Sequence, residues 1–412
     1  MKFIVVTYGT EGDTRPLGVL CRALMDAGHD VRLLADGATL GSAVALGIPT
    51  VALAGDIKAM VQEANATSDS GSVQSLAAAF KRIANANTAA WLRDIVDTGR
   101  GCDAILVSGL AAFAGLSAAE HLGVPAIGLG LIPITPTAEF ASPFLPPRLL
   151  PRVLNRWSHR FVNALVWRVF SEATNAARMS ICGLPPRRKV FADHPMLYGV
   201  SPSLLPQPED WPANARVCGQ WINATPEWRA PQDLVDFLDA GAPPIYVGFG
   251  SMVGFDAKKL LDMIIAAVDG RRALIYPGWS GMGTSVLPDN FLVIGETPHD
   301  WLLPRMSLVI HHGGSGTSHS ATRAGVPSVV IPFAGDQSFW GERLHRAGIA
   351  DRPTGAKRIS VSALAKSIEF AESAHARACA AKLGHQMAAE DGSAVAIDAI
   401  ENFVRMRRQI TA

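Results

Sequence analysis

The chain has 412 residues, 49% hydrophobic and 18% charged, enough for two globular cores at roughly 100–200 residues per domain. Its formal net charge of +1 excludes nucleic acid as a main partner, because phosphate-driven binding needs a strongly basic field. The cysteines Cys21, Cys102, Cys182, Cys218 and Cys379 form no CxxC pair, which excludes a zinc ribbon or a disulfide framework and fits a reducing cytoplasm.

The start, MKFIVVTYGTEGD, is a short apolar run broken by Gly9. It lacks the length and cleavage site of a signal peptide and reads as a first strand. No stretch reaches the ~18 uninterrupted apolar residues of a spanning helix, so a soluble cytoplasmic protein is expected. Further runs, Asp30 to Ala35, Thr50 to Ala54, Asp103 to Gly109 and Pro125 to Gly130, read as buried parallel strands. Between the first two, Leu17, Leu20, Cys21, Leu24 and Met25 recur at helical spacing and Gly28 stops the helix. The Ala- and Ser-rich stretch from Asn65 to Ala90 reads as a mobile insertion. From Leu145 to Lys189 a basic amphipathic helix is expected. Val153, Trp157, Phe161, Leu165 and Val169 line one face, and Arg152, Arg156, His159, Arg160 and Asn163 the other. It reads as a cap on the first domain with a solvated polar face, or as an acceptor-site wall in which the 150–170 helix also touches a membrane surface. The Pro- and Trp-rich stretch from Pro202 to Pro231 reads as a connection. A second set of strands follows at Pro244 to Gly250, Arg272 to Gly278, Asn290 to Gly295, Ser307 to Gly314 and Ser328 to Phe333. The expected architecture is α/β, with two doubly wound, Rossmann-like domains facing across a cleft. Residues 1–205 form the first domain, 206–236 the linker, 237–393 the second domain, and 394–412 a helix returning to the first.

The strongest local signal is HHGGSGTSHSATRAGVP, from His311 to Pro327, which follows a strand and opens a helix. Gly313, Gly314 and Gly316 admit close backbone approach, and Ser315, Thr317 and Ser318 add hydroxyls at a helix N-terminus, where free N–H groups favour an anion. His312 is placed to donate to a diphosphate; the alternative is a glycine-rich turn with a structural histidine pair. A second glycine turn, GFGSMVG from Gly248, offers Ser251 to the same diphosphate. Asp336 and Gln337, just past a strand, can grip sugar hydroxyls with complementary acceptors and donors, or serve as a helix cap and first turn. In YGTEGDTRP, Asp13 fits a general base facing the cleft, with a plain helix N-cap as its alternative. Thr10 could touch the donor phosphate on closure, and Glu11 and Arg15 read mainly as a surface pair. GxxG after a strand, with Asp36 closing the next, also suits a dinucleotide site, but the third glycine is absent and Asp13 would repel a pyrophosphate.

GTEGDTRP, WPANARVCGQW, GFGS, PHDWLLPRMSLVIHHGGSGT, RAGVPSVVIPFAGDQSFWG and the closing EDGSAVA together resemble the GT-B glycosyltransferases of family 1. The resemblance is nearest to the branch of sterol glucosyltransferases and antibiotic-aglycone glycosyltransferases. It implies donor binding by the second domain and acceptor binding by the first, with Asp13 as base. It assigns His312, Gly314, Ser315, Gly316 and Thr317 to the diphosphate and Asp336 and Gln337 to the sugar. Glu296, Pro298 and His299 fall in the stretch that holds the nucleobase, with Trp301 in its support. Glu11 stands where a basic residue is usual, and Arg15 where Gln or Glu is common. The expected activity is inverting transfer of a hexose from a UDP- or dTDP-sugar to a hydroxyl of a hydrophobic acceptor. Sterol, polyketide, terpenoid and lipid acceptors all fit. No metal and no cofactor beyond the nucleotide-sugar co-substrate are expected. A sugar-nucleotide epimerase of the same build and a catalytically silent partner protein are the rivals.

Overall fold

The computed structural model describes residues 1–60, 73–222, 228–253, 255–282 and 287–411. Two parallel sheets are built from the β-branched runs. The first has strands β1 (Lys2–Val6), β2 (Asp30–Asp36), β3 (Thr50–Leu53), β4 (Ala104–Val107), β5 (Ala126–Gly130), β6 (Met196–Tyr198) and β7 (Ala215–Val217), in the order β3-β2-β1-β4-β5-β6-β7. The second has β8 (Ile245–Gly248), β9 (Ala273–Tyr276), β10 (Phe291–Val293), β11 (Leu308–His311) and β12 (Ser328–Val330), in the order β10-β9-β8-β11-β12. Around the first sheet lie helices α1 (Glu11–Asp26), α2 (Gly41–Ala45), α3 (Val73–Gly99), α4 (Ala112–Leu122) and α5 (Asn155–Cys182). With the second come α6 (Gln232–Asp239), α7 (Ala257–Val268), α8 (His299–Leu302), α9 (Ser315–Arg323), α10 (Gln337–Arg346), α11 (Val361–Glu372) and α12 (Ala374–Ala388), and α13 (Gly392–Thr411) closes the chain.

Both sheets reverse strand order beside their first strand, between β1 and β4 and between β8 and β11. Each therefore opens a crevice at the carboxyl ends of its strands, where open α/β sheets bind ligands. Alternation along β1 sends Ile4 and Val6 into one core layer and Phe3 and Val5 into the other, so the sheet is buried on both faces. Helix α13 returns to the first domain, where Ala396, Ala399, Ile400 and Val404 enter the layer that holds Phe3 and Val5. Its crossing is pinned by Glu390, which accepts from the hydroxyls of Ser201 and Ser203 at 2.7 Å each. Gly219 and Gly392 meet backbone to backbone there; a Cβ on Gly392 would lie 2.4 Å from the Gly219 carbonyl carbon. Among the described residues no helix is long and apolar enough to cross a membrane.

Three expectations are corrected. Strand β7 lies within 206–236, so that stretch is not a plain linker; residues 223–227 of it fall outside the described set. Trp211 and Trp221 are buried core residues, and an apolar cluster joins Tyr198, Leu205 and Trp211 of the first domain to Phe339, Trp340 and Leu344 of the second. The described part of 65–90 belongs to α3, because alanine is the best helix former and Ile83, Trp91 and Ile95 give the helix a buried stripe. Helix α5 departs from its expected orientation, although Arg152, Arg156 and Arg160 stay exposed and Val162 and Trp167 are buried. Val153, just before it, and Trp157, Phe161 and Leu165 within it are exposed, while Asn155, Ser158 and His159 are buried. The loop after β5 has carbonyls that its own backbone does not pair, and the helix's polar side chains supply the partners. Asn155 Nδ2 donates to the Ala138 carbonyl at 2.8 Å, Asn163 Nδ2 to Ile134 at 3.1 Å and His159 Nε2 to Phe140 at 3.0 Å.

Candidate active site

In the second sheet β8 and β11 pair with Gly248 opposite His311, so the loops that follow them leave the carboxyl edge side by side. Gly313 has φ +87°, and a Cβ there would lie 2.8 Å from the Gln337 carbonyl oxygen; only glycine makes this turn. Gly314 caps α9 with no side-chain bond. The first bond within the helix runs from Ser318 N to Gly314 O at 3.0 Å, leaving the amides of Ser315, Gly316 and Thr317 open at the positive end of the helix.

The histidine pair divides its work. His311 is buried in the strand, and its Nδ1 accepts from Gly313 N at 3.1 Å, which is structural. The His312 ring lies against the other side of the loop. Its Nε2 would sit 2.4 Å from a Cβ on Gly314, and its Cε1 3.5 Å from one on Gly250, so it stands between both glycine turns. Its Nδ1 is buried and has no partner among the described residues. Burial lowers its pKa to about 4, leaving a neutral ring with one N–H to donate at pH 7. Ser251, half-buried, follows Gly250 in the facing turn; Gly254 of that turn lies outside the described residues.

Asp336 stands at the N-cap position of α10 but makes no cap bond. Its Oδ2 accepts from the Trp340 indole at 2.7 Å. Burial, with a smaller repulsion from Asp13, raises its pKa to about 6. Gln337 differs from expectation. Its Oε1 accepts from Phe333 N at 2.7 Å and Ala334 N at 3.1 Å, which fixes the turn and leaves only Nε2, against the Met252 sulfur at 3.0 Å, to meet a ligand.

Asp13 is neither free nor an N-cap. Thr10 caps α1, and Asp13 is its reciprocal partner three residues on. Asp13 Oδ2 accepts from Thr10 N at 2.8 Å and from Thr10 Oγ1 at 3.2 Å, so the hydroxyl expected to reach the donor phosphate is committed to this carboxylate. A Cβ on Gly9 would lie 2.3 Å from Asp13 Oδ2, so only glycine lets the carboxylate lie against the loop. Among the described residues nothing donates to Oδ1. Burial raises the Asp13 pKa, outweighing the two bonds from Thr10. Helices α1 and α9 touch across the cleft, and Asp13 lies near enough to Asp336, at the turn packed on Gly313, to act on its charge. Asp36 is spent on structure, accepting from Ala38 N at 2.7 Å and Ile57 N at 2.8 Å. Among the described residues no three His, Cys, Asp or Glu side chains gather into a set for a metal ion.

Residues 258–402 match the family model described as the erythromycin biosynthesis protein CIII-like C-terminal domain. Over 98% of its length the chain is 29% identical to sterol 3-beta-glucosyltransferase UGT80B1 of Arabidopsis thaliana, and over 99% it is 30% identical to UGT80A2 of the same plant. It spans 68% and 66% of those two proteins. The sterol 3-beta-glucosyltransferase of Debaryomyces hansenii is 30% identical over 97% of the chain, which spans 26% of that protein. The chain belongs to family 1 of the GT-B glycosyltransferases. Among solved structures the fold matches the spinosyn forosaminyltransferase SpnP, with a TM-score of 0.71, 16% identity and 98% and 99% of the two chains covered. It also matches glycosyltransferase VinC in complex with dTDP, with a TM-score of 0.68, 19% identity and 99% and 100% covered.

In this glycosyltransferase the segment expected to hold the nucleobase is split. Pro298 is the N-cap of α8, and His299 lies edge-on to Tyr246, ring centres 5.9 Å apart. Trp301 packs on Trp228 at 4.9 Å and carries the Arg305 guanidinium at 4.2 Å, which buttresses the segment from behind. The exposed Glu296 carboxylate turns instead to Arg15, forming an ion pair across the cleft. Arg15 therefore ties the two domains as well as facing Glu11 at 3.6 Å. The sequence reading missed an apolar surface shared by the two domains. Tyr8 and Trp91 are fully buried with tilted rings 4.4 Å apart, and the partly buried Leu110 and Phe113 of the first domain and Val253 and Trp279 of the second pack on the core layer that holds them. The available signal was Trp279 in PGWSG, directly after β9.

Proposed function

We propose that the chain transfers a hexose from a nucleoside-diphosphate sugar of the UDP-glucose kind to a hydroxyl of a hydrophobic small molecule, with inversion and without a metal. The observation that carries this is the facing arrangement of Asp13 on α1 and the open amide nest of α9. The acceptor oxygen attacks the anomeric carbon from the side of Asp13 and passes its proton to Oδ1. The bond to the diphosphate breaks on the opposite side, and its electron pair goes to the leaving oxygen. The amides of Ser315, Gly316 and Thr317, with N–H or O–H donors from His312 and Ser251, receive that charge in place of a cation. Asp336, ionised above about pH 6, accepts from sugar hydroxyls. Gln337 holds the turn beneath it and offers Nε2. The backbone of Pro298 to His299, backed by Trp301, takes the base, and Thr10 holds Asp13. The partly buried Leu110, Phe113, Val253 and Trp279 suit an apolar acceptor, and the names of the sterol-glucosylating relatives point the same way. Unpaired thiols fit a cytoplasmic setting, and peripheral contact of the 150–170 helix with a membrane belongs to the same reading.

The test is a panel of UDP- and dTDP-sugars run against a pool of sterols, polyketides, terpenoid alcohols and water, with mass detection and anomeric assignment by NMR. A β-glycoside formed from an α-linked donor in the presence of chelator supports the proposal. Donor turnover without any acceptor would favour the epimerase, and no donor turnover a silent partner protein.

A further inference from the structure

Eight of the fourteen exposed large hydrophobic residues among those described fall in one short stretch: Phe144, Leu149, Val153, Leu154, Trp157, Phe161, Leu165 and Val166. Val153 is 88% exposed and Trp157 55%, and the Trp157 and Phe161 rings stack on one another at 5.0 Å with their outer surfaces in water. Desolvation favours covering such a surface, and a contiguous apolar patch marks an interaction site. The same stretch, 148–168, holds Arg148, Arg152, Arg156, Arg160 and Arg168 and no acidic residue. Arg148 pairs with Glu342 and Arg156 with Asp210, whereas Arg152 and Arg160 have no ion-pair partner among the described residues.

We infer that this ridge docks the enzyme on an anionic lipid surface, with Val153, Trp157, Phe161 and Leu165 in the acyl boundary and Arg152 and Arg160 at the headgroups. Three features choose this occupant. The ridge is the convex outer face of one helix, which a fluid interface can close around. Its rings alternate with cations, the composition of a helix that lies in the headgroup plane. A second copy related by two-fold symmetry would set the same unpaired arginines against themselves. The side chains that hold the ridge in place, Asn155, His159 and Asn163, are bonded to the loop leaving the carboxyl end of β5, the edge of the sheet that carries Asp13. Docking there presents the cleft rim to the bilayer, so the acceptor class is narrowed to hydroxyl compounds that partition into membranes. This rests on the proposed apolar acceptor, but its test does not.

The experiment is co-sedimentation of the full chain, without donor or acceptor, with vesicles of phosphatidylcholine and of phosphatidylcholine plus phosphatidylglycerol. Binding to the anionic vesicles is expected, falling as salt is raised. Each of Arg152→Gln and Arg160→Gln should weaken it about fivefold, and the Trp157→Ser, Phe161→Ser double variant should abolish it. All these residues are exposed, so unchanged melting temperatures are expected, and transfer to a water-soluble alcohol acceptor should stay within about twofold of wild type. Absence of binding to anionic vesicles would overturn the inference, as would binding that the variants leave unchanged. Dimerisation that the double variant abolishes, without vesicle binding, would overturn it in favour of a second copy. Binding by a chain that transfers no sugar would leave the inference standing and refute the proposed function instead.

Discussion

Replacing Asp13 by Asn separates its two roles. As the third residue of α1 it accepts the Thr10 amide at 2.8 Å, a bond the carboxamide oxygen can keep. Loss of charge in the first turn of a helix costs about 0.3–1 kcal/mol, and relief of a desolvated carboxylate offsets part of it. Stability should therefore change by less than about 1 kcal/mol. Asp13→Ala, which loses the reciprocal cap, should cost about 0.5–2 kcal/mol. The chemical role has no such substitute, because an amide placed where Oδ1 now stands cannot take a proton. A general base of this kind contributes about 10²–10⁴ in rate, or about 2.7–5.4 kcal/mol of barrier. Initial rates at saturating donor, a thermal melt and calorimetric binding of UDP give the three readouts. The account expects turnover lost by two to four decades, an unchanged melt and unchanged UDP affinity. Near-normal turnover, or a loss of turnover matched by an equal loss of UDP binding, would refute it.

His312→Ala should lower kcat by about 10²–10³, the usual cost of one donor to a developing oxyanion, with the circular dichroism spectrum unchanged; a loss under about threefold would remove His312 from the leaving-group site. The pH profile of kcat/KM should carry an acid limb above the ordinary aspartate range, because the Asp13 pKa is raised by burial and the base works only when deprotonated. Asp336, its pKa raised to about 6 by burial with a smaller repulsion from Asp13, must also be ionised to accept from the sugar, so Asp336→Asn should remove that ionisation and move the limb to lower pH even as it weakens donor binding; a limb that stays put contradicts a role for the Asp336 carboxylate. Arg178, fully buried, meets the exposed Glu120 through two bonds of 3.0 Å and donates to the Pro185 carbonyl and Ser117 hydroxyl, so Arg178→Ala, which strips these acceptors of their partner, should destabilise the chain by about 1–3 kcal/mol in urea unfolding.

Most of the architecture was legible because the strands are short β-branched runs between glycines, and a parallel sheet buried on both faces needs such runs. Strands β6 and β7 were not, since three residues each, set among Pro195, Pro206, Pro208 and Pro212, carry no periodic signal. The donor loop was legible because only glycine meets the φ of +87° at Gly313 and only a helix start leaves amides open. The fate of individual side chains was not. Whether Gln337 points at a ligand or at two loop amides depends on a turn four residues upstream. The reach of Arg15 to Glu296 depends on how two domains face, a relation of 281 positions that no local pattern encodes. Helix α5 misled for a related reason. Its apolar stripe reads as core by periodicity, but the carbonyls of Ile134, Ala138 and Phe140 draw Asn155, His159 and Asn163 inward and leave the stripe outside with the arginines.

The central claim is that charge is handled on opposite walls of one cleft, and a crystal structure with UDP bound tests it most directly. The account predicts the diphosphate on the amides of Ser315, Gly316 and Thr317 with the His312 ring in contact and Asp13 Oδ1 free of phosphate. A nucleotide seated instead on the first domain, against Thr10 and Asp13, would contradict it.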